Sequence, residues 1–497
     1  MPLTENSWHE ERLLIDGKLV HAEGGATYDN INPADESVIG VAADASKADI
    51  QRAITAARRA FDETEWAHDV DLRVRCLRQL HKALVEHRDA LGDITVAEVG
   101  APRMLLDGPQ LGAPIEFVSY YADLAEKYAW SEQLGVAPTM AGPASRWVER
   151  EPVGVVAAIT PWNYPNQINI AKVAPALAAG CTVVLKPAPD TPWTALALGR
   201  LVAEHTDIPA GVFNVVTSSD KSIGEVLTNS PDVDMVSFTG STTVGRRIMV
   251  AGAETIKRVF LELGGKSAHI VLDDVEDIGA ASIPAVFGVC THGGQGCATS
   301  TRLLLPRSRY EEGVEAAAAM LATATYGDPE DPANMTGPIV SRLQLERIDS
   351  LVRKGIEEGA RVVVGGAIAT QFPKGYYYQP TLLADVDNSM TVAQEEIFGP
   401  VLVAIPYEDD NDAIRIANES IYGLSGGVAG TDRDRALRVA RRIRTGTISV
   451  NGGLWYGADV PFGGYKQSGI GREMGVAGFE EYLEQKALAE PAPPAAG

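Results

Sequence analysis

From residue 46 the chain reads Ser46-Lys47-Ala48-Asp49 and then sets Ile50, Ile54, Ala57 and Phe61 on one face of a 3.6-residue repeat. A capping serine with an acid three positions on predicts a helix over 46–61. The same periodicity predicts helices over 72–92 and 113–129. After Gly154 the pattern changes to short apolar runs alternating with helical stretches. Runs at 155–159, 182–185, 212–216 and 235–238 predict buried strands. Between them lie a helix ending near Gly180, which suits a left-handed cap, and another over about 191–205. This alternation predicts a parallel sheet with crossover helices, the doubly wound class. A second α/β series follows Glu262, with strands at 269–272, 301–305 and 401–406 and helices near 276–290 and 309–324.

Two segments break the pattern. Residues 131–152 carry polar side chains with Gly135, Pro138, Gly142 and Pro143, then alternate from Arg146 to Arg150, which predicts a hairpin arm inserted into the first domain. The tail Glu490-Pro491-Ala492-Pro493-Pro494 is proline-rich and predicts disorder.

With 497 residues the chain has room for two or three domains with sizeable cores. Its 45% hydrophobic and 22% charged content is that of a soluble globular protein. A formal net charge of -23 argues against nucleic acid or an anionic membrane as partner, though a local basic pocket can still hold a small anionic cofactor. No apolar run approaches the ~20 residues that span a bilayer. The polar, acidic start MPLTENSWHEER lacks the order of a secretory signal. Four scattered cysteines, with no CxxC and no HExxH, predict neither a disulfide framework nor a metal site. A reduced, cytoplasmic protein is the expectation.

The candidate chemistry centres on Cys297, in Gly294-Gln295-Gly296-Cys297-Ala298-Thr299, 35 positions after Glu262 and 134 after Asn163. Upstream glycines let the backbone approach a ligand and free the cysteine N–H to face a substrate oxygen. Glu262 lies in the apolar run Phe260-Leu261-Glu262-Leu263-Gly264-Gly265, where its charged form is disfavoured and its pKa rises toward that of a general base. Asn163, in Thr160-Pro161-Trp162-Asn163-Tyr164-Pro165, follows a strand at the mouth of a parallel sheet, where ligands collect. A thiol nucleophile, a base and an amide donor are the parts of acyl chemistry. Taken singly, a structural turn, a surface carboxylate and a plain proline turn compete with these readings.

Phe238-Thr239-Gly240-Ser241-Thr242-Thr243-Val244-Gly245 places two glycines between a strand and a helix, where N–H groups face a pyrophosphate; a structural turn is the alternative. Lys186-Pro187-Ala188-Pro189 follows the second strand of the unit, where a ribose contact is expected, and Glu395-Glu396-Ile397-Phe398-Gly399-Pro400 pairs carboxylates with an aromatic that can pack beside a nicotinamide. A solvated lysine and a charged loop are the competing readings.

Together with Pro461-Phe462-Gly463-Gly464-Tyr465-Lys466-Gln467-Ser468-Gly469 and Ile15-Asp16-Gly17-Lys18, these segments resemble the NAD(P)-dependent, non-acylating aldehyde dehydrogenase superfamily over about residues 12–488. The resemblance implies oxidation of an aldehyde to the acid with a nicotinamide cofactor and water. Cys297 matches the nucleophile, Asn163 the oxyanion donor beside the Cys297 N–H, and Glu262 the base that activates water. Lys172 and Glu473 match positions linked to proton passage in some members. Ile159, Thr160, Trp162, Lys186, Pro189, Gly240, Ser241, Gly245, Leu263, Glu396 and Phe398 match cofactor-contact positions. Many NAD-preferring members carry an acid where this chain has Pro189, and often a glycine where it has Ser218; neighbouring Asp190 partly compensates. NAD is therefore expected, with NADP left open.

The substrate pocket implied by the match holds Tyr164, Ile168, Ala171, Gly296, Ala298, Tyr456 and Phe462. These residues are apolar or aromatic, with no base to clamp a second carboxylate, and Ala171 is small where several members are bulky. A medium-sized aliphatic or aromatic aldehyde is expected ahead of a semialdehyde acid or betaine aldehyde. Family architecture implies a dinucleotide-binding domain (1–128 and 153–262), an α/β catalytic domain (263–473) and a β-arm with the C-terminal tail (129–152 and 474–497) that builds a homodimer or homotetramer. The competing readings are acyl transfer to coenzyme A, a semialdehyde-specific enzyme, a silent scaffold, and a thiol hydrolase pairing Cys297 with His292 or His269.

Overall fold

The computed structural model describes residues 10–492. Among them an eight-stranded sheet has the order Gly469–Ile470, Arg258–Glu262, Met235–Thr239, Val155–Ile159, Thr182–Lys186, Phe213–Val215, Leu13–Ile15, Lys18–Val20. The strands from Arg258–Glu262 to Phe213–Val215 run parallel, and the edges are antiparallel. Chain order reverses between Val155–Ile159 and Met235–Thr239, which opens a crevice at their carboxyl ends. A seven-stranded sheet follows, centred on Val401–Tyr407, Ser300–Pro306 and Ser267–Val271, with separate apolar clusters on its two faces.

The first helix is Lys47–Glu63, and Ser46 caps it: its Oγ accepts from the N–H groups of Ala48 and Asp49 while the Asp49 carboxylate accepts from the Ser46 N–H. The helix expected over 72–92 is instead two, Val70–Glu86 and Arg88–Val99, separated at His87 with φ -107° and ψ 16°. The repeat conceals the break because Leu77, Leu80, Leu84 and Leu91 are all buried in the same core at helical spacing.

The arm is a hairpin, Ser131–Thr139 with Gly142–Pro152; its outer strand exposes Leu134 and Val136, and its turn exposes Met140. The expectation of a disordered tail is corrected in part. Glu490 and Pro491 belong to the strand Leu483–Pro491, paired with Ser145 and Ala144. An edge strand tolerates proline because one row of its N–H groups needs no partner. Pro493 and Pro494 lie outside the described residues, as does most of the N-terminal segment.

Candidate active site

The helix Ile278–Cys290 ends in a tight reversal in which His292, Gly293 and Gly294 all adopt left-handed φ (51°, 62° and 67°). Three such residues in succession turn the chain back so that Gly296 and Cys297 face the cleft. At Gly294 a Cβ would collide with the Gly399 carbonyl. His292 holds its unfavourable backbone with a bond from its buried ring Nε2 to the Asn163 carbonyl, 2.9 Å. Gln295 locks the turn from within: Nε2 donates to the carbonyls of His292 and Pro338, and Oε1 accepts from Val340 N–H.

Asn163 sits between the strand Val155–Ile159 and the helix Pro165–Ala179, which starts on a proline whose missing N–H costs nothing there. Its Nδ2 donates to the Gln295 carbonyl at 2.8 Å. The amide is thereby fixed to the loop that carries Cys297, and its second N–H remains to serve a ligand.

Glu262 ends the strand Arg258–Glu262, 1% exposed, and its Oε1 has no hydrogen-bond partner among the described residues. Burial pushes its pKa well up; nearby Glu473 pushes it further, while Lys172 and the Cys297 thiol pull it back. The Cys297 thiol is likewise pushed well up, by burial first and then by Glu262, Glu396 and Glu473, against the Ala298 N–H, which favours the thiolate. The thiol favours the Glu262 carboxylate while that carboxylate disfavours the thiolate, so the two titrate as a unit. Lys172 and Glu473 form a buried ion pair behind them.

The residues matched to a dinucleotide gather at the crevice. Ile159 ends one strand and Thr160 follows it, its hydroxyl donating to Asn169 Oδ1. Trp162 meets Phe398 edge-on at 5.4 Å, and Phe398 has φ 61°. Gly240 follows the strand Met235–Thr239, and Ser241 caps the helix Thr242–Ala253, leaving N-terminal N–H groups for an anion. Gly245 also packs closely: a Cβ there would stand 2.8 Å from Leu263. Lys186 is buried, its Nζ donates to the Pro187 carbonyl, and burial, then Lys221, lowers its pKa to about 8. The Glu396 carboxylate accepts from Gly265 N–H and lies over Gly264, where a Cβ would strike it; burial raises its pKa to about 7. A helix N-terminus, a buried ammonium and a carboxylate on a glycine ledge are a donor set that fits a dinucleotide. Pro189 and Asp190 are half-buried beside them. Ser218 turns away: its hydroxyl donates to Asp44 Oδ1 and the Ala45 carbonyl.

Of the residues expected to line a substrate pocket, Tyr164 packs against His292 at 5.2 Å and borders Gly296. Phe462 pairs through its backbone with Glu473 and stacks on Trp455, with centroids 5.4 Å apart and planes at 9°. Tyr456 contacts Phe117 at 6.1 Å. Ile168 is buried, and Ala171, with 0% exposure, opens onto no solvent space. Sequence reasoning passed over Trp455, Phe117 and Gln295. Trp455 adjoins Tyr456 and Gln295 lies inside the cysteine motif, whereas Phe117, in the helix Gly112–Lys127, carried no local signal. Neither histidine is free to act as a base for Cys297. His269 gives Nε2 to the Ala281 carbonyl, and burial lowers the His292 pKa to about 4.

Among the described residues no helix is long and apolar enough to cross a membrane, and no group of His, Cys, Asp and Glu could hold a metal ion. A family profile described as the aldehyde dehydrogenase family matches residues 19–488. A 3-succinoylsemialdehyde-pyridine dehydrogenase of a Pseudomonas species is 42% identical over 95% of this chain and 97% of its own. The crystal structure of a cysteine-to-alanine mutant of aldehyde dehydrogenase C from Pseudomonas syringae, with NAD+ and octanal, has a TM-score of 0.91 at 40% identity, covering 97% of this chain and 96% of that one. Betaine aldehyde dehydrogenase from Staphylococcus aureus, in complex with NAD+, gives a TM-score of 0.93 at 35% identity, covering 98% and 97%. On its sequence, its fold and the gathering of these side chains, the chain belongs to the aldehyde dehydrogenase family.

Proposed function

We propose that the protein oxidises a medium-sized aliphatic or aromatic aldehyde to its carboxylic acid, using NAD+ and water. The observation that carries this reading is the Asn163–Gln295 bond, which sets an amide donor beside the Cys297 loop with Glu262 across from it. NAD+ in the related crystal structures supports the cofactor. In the proposed sequence Cys297 gives its proton to water as its sulfur adds to the carbonyl carbon. The oxyanion accepts from the free Asn163 N–H and from the Cys297 N–H. The dinucleotide, when bound, supplies the hydride acceptor. Loss of hydride leaves a thioester on Cys297, and Glu262 takes a proton from the water that hydrolyses it. Lys186, Ser241 and Glu396 would hold the dinucleotide, and Lys172 with Glu473 would pass protons from Glu262.

The aromatic wall of Tyr164, Trp455, Tyr456 and Phe462 favours an apolar tail over a second carboxylate. We assign residues 1–128 and 153–262 to dinucleotide binding, 263–473 to catalysis, and the arm with the tail to a homodimer or homotetramer. The exposed edge strand Ser131–Thr139 supports the last assignment, since open edges pair. Four unbridged cysteines fit a cytoplasmic setting. The test is an aldehyde panel with NAD+ and NADP+ in parallel and no coenzyme A. Reduced cofactor should appear at least with NAD+. No reduction with any aldehyde unless coenzyme A is added would overturn hydrolysis as the second half-reaction.

A further inference from the structure

The carbonyl of Asn163 carries two donors from distant parts of the chain. Nε2 of Gln110 donates at 3.0 Å and Nε2 of His292 at 2.9 Å, and both side chains are fully buried. A carbonyl only accepts, so the His292 proton sits on Nε2. A second proton, on Nδ1, would face no acceptor among the described residues, and the ring stays neutral in this tautomer. Its bond also closes a circuit. The His292 ring donates to the Asn163 carbonyl, the Asn163 amide to the Gln295 carbonyl at 2.8 Å, and the Gln295 amide back to the His292 carbonyl at 3.1 Å. The same ring meets Tyr164 edge-on, so that His292 grips two successive residues. Bonds at both the carbonyl and the side chain fix the direction of the Asn163 amide, which either bond alone would leave free to pivot.

We propose that His292 is a positioning residue for the oxidation: by holding the Asn163 carbonyl it aims the remaining Asn163 N–H at the oxyanion. It acts through Asn163 and not on the aldehyde, and the inference rests on the aldehyde-oxidising reading above. The oxyanion develops only as the sulfur adds, so a misaimed donor slows the first hydride transfer and leaves dinucleotide binding unchanged. Gln110 still bonds the carbonyl when the His292 donor is removed. No acceptor is then stranded in the core, and the loss measured is one of aim.

The test sets His292→Gln, whose amide nitrogen can replace Nε2, against His292→Met, of similar length with no donor. His292→Met is also combined with Asn163→Ala. Stopped flow at saturating NAD+ and aldehyde reads the first-turnover rate of NADH formation, a first-order constant independent of how much protein folded. His292→Gln should stay within about threefold of wild type and His292→Met should fall about tenfold or more, with the NAD+ dissociation constant unchanged in both. Asn163→Ala alone should fall by about 10²–10³. Adding His292→Met to it should cost nothing further, because the amide it aims is already gone. Equal rates for the Gln and Met variants, or losses that multiply in the double variant, would overturn the proposal. So would a His292→Met that fails to fold where His292→Gln folds, since the donor would then serve the fold. An Asn163→Ala as fast as wild type would instead sink the oxyanion reading on which the proposal rests.

Discussion

Nζ of Lys172 lies 3.0 Å from Oε1 of Glu473, with the two side chains 0% and 5% exposed. The ammonium also stands 4.7 Å over the Phe260 ring. Removing one partner strands the other's charge in the core, a change that costs about 3–5 kcal/mol. The pair also reaches Glu262, whose pKa Glu473 raises and Lys172 lowers. Glu473→Gln is therefore expected to shift the acid limb of the kcat–pH profile to lower pH, and Lys172→Met to higher pH. Both single variants should melt well below wild type. An acid limb unmoved in both variants would show that the pair acts on stability alone.

Replacement of Cys297 by Ala should abolish aldehyde oxidation. Glu262→Gln should retain a first burst of NADH in a stopped-flow experiment and then stall, because only hydrolysis of the thioester needs the base. A missing burst would place Glu262 ahead of hydride loss. Asn163→Ala should lower kcat by about 10²–10³, the usual loss for one oxyanion donor, while Cys297 remains open to thiol reagents.

Much of this geometry was legible before the fold was seen, and the limits are physical. The motifs around Cys297, Glu262 and Asn163 could be read because chemistry restricts residue type there. The parallel sheet whose strand order opens the crevice followed from alternating strands and helices. What could not be read depends on contacts distant in sequence. Gly245 reads as part of a phosphate turn, and its lack of a side chain also accommodates Leu263. Phe117 reaches Tyr456 from a helix whose periodicity shows only that it is amphipathic. The break at His87 stayed hidden because the leucines on either side of it keep step.

Gly264 offers a separate handle on the cofactor side. A Cβ at this position would collide with the Glu396 carboxylate, which also accepts the Gly265 N–H at 2.8 Å. Gly264→Ala should displace Glu396 and weaken dinucleotide binding about tenfold or more, read as the NAD+ dissociation constant by tryptophan quenching. Glu396→Gln should weaken binding in the same assay. An unchanged constant in both would remove Glu396 from the cofactor contacts.

Glu98 supplies a pH dependence outside the active site. Fully buried on the helix Arg88–Val99, it accepts from the N–H groups of Trp193 and Thr194 at the start of the helix Pro192–His205, and from Asn30 Nδ2. It caps that helix from outside, since the N-cap residue Thr191 makes no side-chain bond to it. Burial raises its pKa to about 7 against the pull of these donors. An unfolded glutamate titrates near 4.3. The folded chain thus holds a proton that the unfolded chain has released between those values, and stability falls as pH rises. The contribution is complete below about pH 4.3 and is lost as pH passes through about 7, a change on the order of 3 kcal/mol. Melting temperatures of wild type and Glu98→Gln at pH 5, 6, 7 and 8 isolate this term, because other titrating groups are common to both. The variant should melt lower at every pH, its amide N–H groups facing the Trp193 and Thr194 donors, but with a shallower decline toward pH 8. Equal slopes would mean that the Glu98 carboxyl is ionised throughout the range, with its three donors outweighing burial.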